Sequence, residues 1–224
     1  MTRRYSAHYI VYRLFAPLYD LGVWLFALPF GGEARLRQAV MDEVSSAGRG
    51  RRRPIGLEGS RVLEIFAGTA TLSLLAAERG AIVTAVDINR GMLLVAAEKV
   101  RRAGGRVGLA RADAARLPFA GGTFDCVMAS LGLHEAPQDR IPVILSEVCR
   151  VLKKGGQFTI FDFHRAEGKA GWIQKVFFVF AEGETARAWV GTDLQTRMPE
   201  AGFVNFRRRF LHNRFFQVLS ADKR

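Results

Sequence analysis

The sequence predicts an α/β fold, a seven-stranded, mostly parallel sheet with an antiparallel edge strand and helices on both faces. Three observations carry this prediction. From Arg61 onward, short runs rich in Val, Ile, Leu and Phe alternate with longer helical runs that end at glycine. The strand-like runs are near-continuously apolar, as strands covered on both faces must be. The last two runs are joined by a short connection, which makes them an antiparallel pair at the sheet edge.

The elements follow in order. Residues 5–44 read as helical and unusually apolar, and all four tyrosines of the chain, Tyr5, Tyr9, Tyr12 and Tyr19, lie there. Their spacings put them on one helical stripe, with Pro17 dividing the segment into two helices. Residues 45–60, rich in Ser, Gly and Arg, read as a loop. Arg61–Phe66 is a strand, Thr71–Arg79 a helix stopped at Gly80, Ile82–Asp87 a strand and Arg90–Ala103 a helix broken by Gly104-Gly105. Arg106–Arg111 and Phe124–Ser130 are strands. Ile141–Leu152 is a helix closed by Lys153-Lys154-Gly155-Gly156, basic residues followed by glycine. After a fifth strand, Gln157–Phe163, come helices at Trp172–Ala181 and about Asp193–Ala201, then strands at Val204–Phe210 and Phe215–Ala221.

Composition narrows the function classes. With 49% hydrophobic and 24% charged residues among 224, the chain is of ordinary globular type. The two cysteines, Cys126 and Cys149, lie in apolar segments without metal-ligand spacing, so they read as small buried hydrophobes, no metal is expected, and a reducing cytoplasm fits. The longest clean apolar stretch, Leu21–Phe30, contains Gly22 and Pro29 and falls well short of the about 20 residues a spanning helix needs. The net charge of +12, clustered at Arg49–Arg53, Arg101-Arg102 and Arg207–Arg209, favours anionic partners. Those clusters are short and lack interleaved aromatics, and no RNA-binding module accompanies them, which argues against nucleic acid without closing that reading.

In an open parallel sheet, ligands sit at the carboxyl ends of the strands. Three acidic residues fall there: Glu64 before the turn Phe66-Ala-Gly-Thr-Ala70, Asp87 closing the second strand, and Asp113 after the third. A carboxylate in the place of Asp87 can accept from a ribose diol, and Gly68 lets backbone approach a ligand closely.

Several further motifs stand in order with these: Val83–Asn89 (VTAVDIN) with Met92, Ala112-Asp113-Ala114 with Leu117-Pro118-Phe119, Phe124-Asp125, and Glu147–Gly156 (EVCRVLKKGG). Together they resemble the class I S-adenosylmethionine-dependent methyltransferases, from about Arg61 to Lys223. The resemblance implies a Rossmann-like sheet, residues 1–48 as a helical lid, residues 49–224 as the catalytic domain, and S-adenosyl-L-methionine as cofactor. It assigns cofactor contacts to Glu64, Phe66, Ala67 and Gly68, to Asp87, Ile88 and Met92, to Asp113 and Ala114, and to Ser130. One departure stands out. Of the family's three alternating loop glycines only Gly68 is kept, with Phe66 and Ala70 in place of the others. A nicotinamide dehydrogenase, the rival on a similar sheet, lacks the Ala112-Asp113-Ala114 step and the terminal strand pair.

Methyl transfer needs a base only if the acceptor must lose a proton. His134 and Glu135, after the fourth strand, are the candidates, with Asp162 and His164 after the fifth. Ala16-Pro-Leu-Tyr-Asp20 resembles the leading element of quinone-ring C-methyltransferases and bacterial phospholipid N-methyltransferases, which makes Tyr19 a lid residue over the cofactor. The apolar Trp172–Phe180 segment is a candidate wall for an acceptor pocket. The expected acceptor is therefore a quinone ring or phospholipid headgroup, met in the cytoplasm or at an anionic membrane surface. A soluble small molecule, an RNA substrate and a non-catalytic lipid-binding role are the alternatives.

Overall fold

The computed structural model describes residues 19–46, 56–178 and 183–224. Tyr5, Tyr9, Tyr12, Pro17, the Arg49–Arg53 cluster and Phe180 lie outside them.

A helix, α1, is described over residues 19–27, continues as a 3-10 turn over Leu28–Phe30, and is followed by α2, Glu33–Ser46. Then come β1 (Arg61–Ile65), α3 (Thr71–Glu78), β2 (Ile82–Asp87), α4 (Arg90–Arg102), β3 (Val107–Arg111) and β4 (Phe124–Ser130). The chain ends with α5 (Ile141–Val151), β5 (Leu152–Phe163), α6 (Gly168–Phe177), α7 (Gly183–Trp189), α8 (Leu194–Arg197), β6 (Phe203–Leu211) and β7 (Phe216–Lys223).

The seven strands form one sheet in the order β3-β2-β1-β4-β5-β7-β6. The first five are parallel, and β7 runs antiparallel to both β5 and β6. The expected antiparallel pair is therefore at the edge, and within it β7 is the reversed strand, inserted one place in. Strand order reverses between β1 and β4, so the ends of these two strands flank the switch-point crevice where ligands of such sheets bind.

Two local differences from the sequence reading have physical causes. Lys153–Gly156 do not close α5 but already belong to β5. Leu152 pairs with Phe124, Lys153 Nζ donates to Asp125 Oδ1 at 2.7 Å, and a Cβ at Gly156 would lie 3.0 Å from the Asp125 carbonyl oxygen. Cross-strand partners thus extend what looked like a helix end. In the tail, α6 begins at Gly168, earlier than Trp172, and α7 occupies a stretch without strong periodicity. Trp189 explains α7: it is buried and its Nε1 donates to the Phe163 carbonyl at 2.9 Å.

Phe158, Phe161, Phe163, Phe203 and Phe216 fill the core around β5 and β7, each worth roughly 1.5–3 kcal/mol of burial. The N-terminal helices are tied to this core. Val40, Met41 and Val44 of α2 are fully buried, and Arg209 Nη2 of β6 donates to the Ala39 carbonyl at 3.0 Å. Helix α1 is held at two points. Phe26 stacks on Phe177 of α6 at 4.6 Å. At its other end Asp20 accepts from Thr69 Oγ1 (2.6 Å) and from Lys99 Nζ of α4 (2.9 Å). Lys99 Nζ also donates to Thr69 Oγ1 (3.1 Å) and Thr71 Oγ1 (2.6 Å), so one ammonium joins α1, the loop after β1 and the start of α3.

Replacing Lys99 by Met should loosen α1 without unfolding the sheet. Amide exchange over residues 19–27 should accelerate while Tm falls by no more than about 4 °C. Unchanged exchange would mean that the aromatic contacts alone hold the helix.

Candidate active site

The loop from β1 to α3 is built on left-handed backbone at alternate residues: Phe66 (φ 54°), Gly68 (φ 53°) and Ala70 (φ 60°). These are the three positions at which the resemblance expects glycine. Phe66 and Ala70 therefore keep the turn that glycine would make, at a cost of order 1–3 kcal/mol each. A Cβ built at Gly68 would meet Tyr19 Cε1 at 3.9 Å, an ordinary contact distance, and no other atom within 4 Å. The half-buried backbone there is a cradle that an added side chain would fill, which fits a bound cofactor.

Asp87 holds the cradle. Its Oδ2 accepts from Gly68 N at 2.8 Å and its Oδ1 from Asn89 N at 2.7 Å. Asn89 in turn caps α4, accepting from Gly91 N at 2.8 Å and Met92 N at 3.4 Å. A carboxylate has about four acceptor positions, so Asp87 retains capacity for the two hydroxyls of a ribose. Burial raises its pKa, and the amides of Asn89 and Gly68 pull it back down.

Glu64 lies beneath the loop, fully enclosed, with Ser73 Oγ donating to its Oε2. Burial lifts its pKa to about 7, against smaller lowering effects from Ser73 and Arg37 of α2. Asp113 is half-exposed: its Oδ1 accepts from Ala115 N at 2.9 Å and its Oδ2 from Arg140 Nη2 at 2.8 Å. Among the remaining expected contacts, Ile88 is exposed, while Met92, Ala67 and Ala114 are buried beside the loops that carry Asp87, Gly68 and Asp113. Ser130 at the end of β4 borders a small recess shared with Glu33 and Arg37.

A second space adjoins the cradle. A cavity of about 210 Å³ is lined by Tyr19, Gly22, Val23 and Phe26 of α1, by Leu131, His134 and Glu135 after β4, and by Phe163 and Phe177. Tyr19 borders both spaces. His134 is buried, its Nδ1 lies 2.7 Å from Asp162 Oδ1, and its backbone N donates to Asp162 Oδ2 at 3.2 Å. A carboxylate only accepts, so Nδ1 carries the proton and the other ring nitrogen is the basic one.

The structure thus brings together Tyr19, Gly68, Asp87, His134, Glu135 and Asp162. It does not bring in His164, which packs on Phe210 at 4.6 Å and is absent from the cavity wall. Of Trp172–Phe180, Phe177 lines the cavity, Phe178 is buried against Phe163 and Trp172 faces solvent. Lys99, Arg140, Arg37 and Phe26 are additions with no sequence signal, because a cation or aromatic on an amphipathic helix reads as surface or core until its neighbours are known.

Phe66 also constrains the loop after β4. A Cβ built at Gly132 would sit 2.3 Å from Phe66 Cβ, so the large residue at 66 requires none at 132.

Residues 62–156 match the family model for a methyltransferase domain. An uncharacterised methyltransferase of Synechocystis sp. (strain ATCC 27184 / PCC 6803 / Kazusa) is 32% identical over 205 residues, 91% of this chain and 90% of that protein. The ubiquinone/menaquinone biosynthesis C-methyltransferase of Rhizobium meliloti is 37% identical over 145 residues; the match spans 58% of this chain and little more than half, 55%, of that protein. Among solved structures, magnesium protoporphyrin IX methyltransferase from Synechocystis, with bound S-adenosylhomocysteine, aligns at TM-score 0.62 and 21% identity over 84% of this chain and 83% of that one.

Two outcomes follow from this geometry. Gly132→Ala should cost stability by about 1–3 kcal/mol, and adding Phe66→Gly should restore it; thermal unfolding of the single and double variants measures the coupling. Glu64 has a folded-state pKa raised from 4.5 to about 7, so its protonated form favours folding. Its contribution is complete below about pH 4.5 and is lost as pH rises towards 7. Glu64→Gln should therefore gain on the native chain at pH 8 relative to pH 5, by about 3 kcal/mol at most. Parallel melting curves at both pH values would contradict this.

Proposed function

Because the chain belongs to the class I S-adenosylmethionine-dependent methyltransferases, we propose that it methylates a hydrophobic, membrane-associated acceptor, the ring of a quinol-type compound. The observation that carries this reading is the cavity: apolar and aromatic on most sides, with His134, paired behind it to buried Asp162, on its wall. At about 210 Å³ it is smaller than the about 300–1,000 Å³ of pockets that enclose drug-sized ligands, so it suits a ring while a long tail stays outside. The match to a quinone-biosynthesis C-methyltransferase supports the same class of acceptor.

The bound cofactor supplies an electrophilic methyl group on sulfonium. The Gly68 cradle and Asp87 would hold the donor, and Asp113, preset by Arg140, would accept from its adenine amino group. Tyr19, Val23 and Phe26 close the acceptor side and exclude water, so that donor and acceptor meet aligned. His134, oriented by Asp162, takes the phenolic proton through its second ring nitrogen. The ring carbon would then use its electron pair to form the new carbon–methyl bond while the methyl–sulfur pair stays on the departing neutral thioether. The ring proton leaves by way of Glu135, and His134 returns the phenolic proton, which restores the aromatic quinol. Glu135, exposed at the cavity rim, is placed to pass protons to solvent.

Calorimetric titration with S-adenosylmethionine, followed by transfer of radiolabelled methyl to short-chain demethylated quinols, total lipid extract and RNA, tests the proposal. The native chain should bind cofactor and label the quinol. Asp87→Ala should lose cofactor binding. His134→Gln should keep it and lower kcat by about 10²–10⁴-fold. No cofactor binding, or label confined to RNA or phospholipid, would overturn the reading.

A further inference from the structure

We infer that the end of the molecule formed by α1, the Leu28–Phe30 turn and α6 docks on an anionic phospholipid bilayer. This rests on the reading of a membrane-associated acceptor and names the partner that delivers it.

Helix α1 is apolar on two sides. Tyr19, Gly22, Val23 and Phe26 line the cavity. Leu21, Trp24, Leu25 and Leu28 lie three, four and seven residues apart along the other side, a single helical stripe. They are 52%, 49%, 53% and 49% exposed. A helix with apolar residues on two sides is ordinarily buried on both. Here the core covers one side and leaves four large residues in solvent, a costly arrangement unless something apolar covers them.

Helix α6 continues the same end of the molecule, joined to α1 by the Phe26–Phe177 stack. It presents Trp172, the most exposed large hydrophobic residue among those described, at 71%. Two of the three tryptophans of the chain, side chains that favour the water–lipid interface, are thus exposed at this end.

Charge chooses the occupant. Lys175 is exposed one turn after Trp172, and Arg165 is exposed just before α6. Arg35 is exposed and lies against Gly31, directly after the 3-10 turn. Arg214, between β6 and β7, lies over Phe210 and pairs with Glu167 at 2.6 Å. The acids near this end are Glu167, paired with Arg214, Asp20 of α1, paired with Lys99, Glu33, paired with Arg37, and Glu135 at the cavity rim. A basic border around exposed Leu and Trp complements an anionic, apolar surface, and the net charge of +12 has the same sign. The two helices that would lie in the interface are also walls of the cavity, so an acceptor dissolved in the bilayer would reach His134 without crossing water.

Tryptophan fluorescence and co-sedimentation of the full chain with vesicles test this. Vesicles of phosphatidylcholine doped with phosphatidylglycerol should bind it on the order of tenfold more tightly than phosphatidylcholine alone, and salt should remove the difference. Binding should shift emission to the blue. Trp24→Phe with Trp172→Phe should abolish the shift, since Trp189 is already buried. Leu21→Glu with Leu25→Glu should release the protein from both vesicle types. Arg165→Gln with Lys175→Gln, which leaves the apolar stripe intact, should lose only the preference for anionic lipid. All variants should still methylate a short-chain soluble quinol. No vesicle binding while the soluble quinol is methylated would overturn the docking and leave the enzymatic reading. Vesicle binding without quinol methylation would do the reverse. RNA binding that the Gln variants abolish, with vesicle binding and its preference for anionic lipid unchanged, would assign the basic border to nucleic acid and overturn the proposal.

Discussion

The Asp87 carboxylate is the constraint on which the site depends. One oxygen accepts the Gly68 amide and the other the Asn89 amide, so the end of β2 holds the loop after β1 and the start of α4 together. That loop is left-handed at three alternate positions, two of them filled by residues with side chains. Such strain persists only where the surroundings over-determine it. The two Asp87 hydrogen bonds, the enclosed Glu64–Ser73 pair below and the Lys99 ammonium above supply that determination.

From the loop, the coupling passes to the helices above it. Thr69, set by the turn, bonds Asp20 of α1, and Lys99 binds both. The N-terminal helix is thus attached to the residues that would bear the cofactor as well as to the aromatic core. Tyr19 then lies between the Gly68 cradle and the second cavity. Occupancy of one space is sterically linked to the shape of the other, which an in-line displacement between two bound molecules requires.

Much of this was legible in the chain. Buried strands of a parallel sheet read as continuous apolar runs, so β1 to β4 stood out, and acidic residues at their ends marked the crevice. The tail was harder. α7 has little periodicity of its own and forms because Trp189 finds a buried acceptor at Phe163; Lys153–Gly156 join β5 because cross-strand partners claim them. His134 and Asp162 were separate candidates in sequence. Only the adjacency of β4 and β5 turns them into a pair 2.7 Å apart.

The sequence by itself determined the layered α/β class, the order of its elements from β1 to β5 and the acidic positions at the strand ends, because periodicity and local turn chemistry act over a few residues. The tertiary structure decided how Phe66 is accommodated, by leaving Gly132 bare beneath it, and which face of α1 lines a cavity while the other meets solvent. Those choices are contacts between residues tens of positions apart, set by the packing of strands and helices that no local pattern encodes.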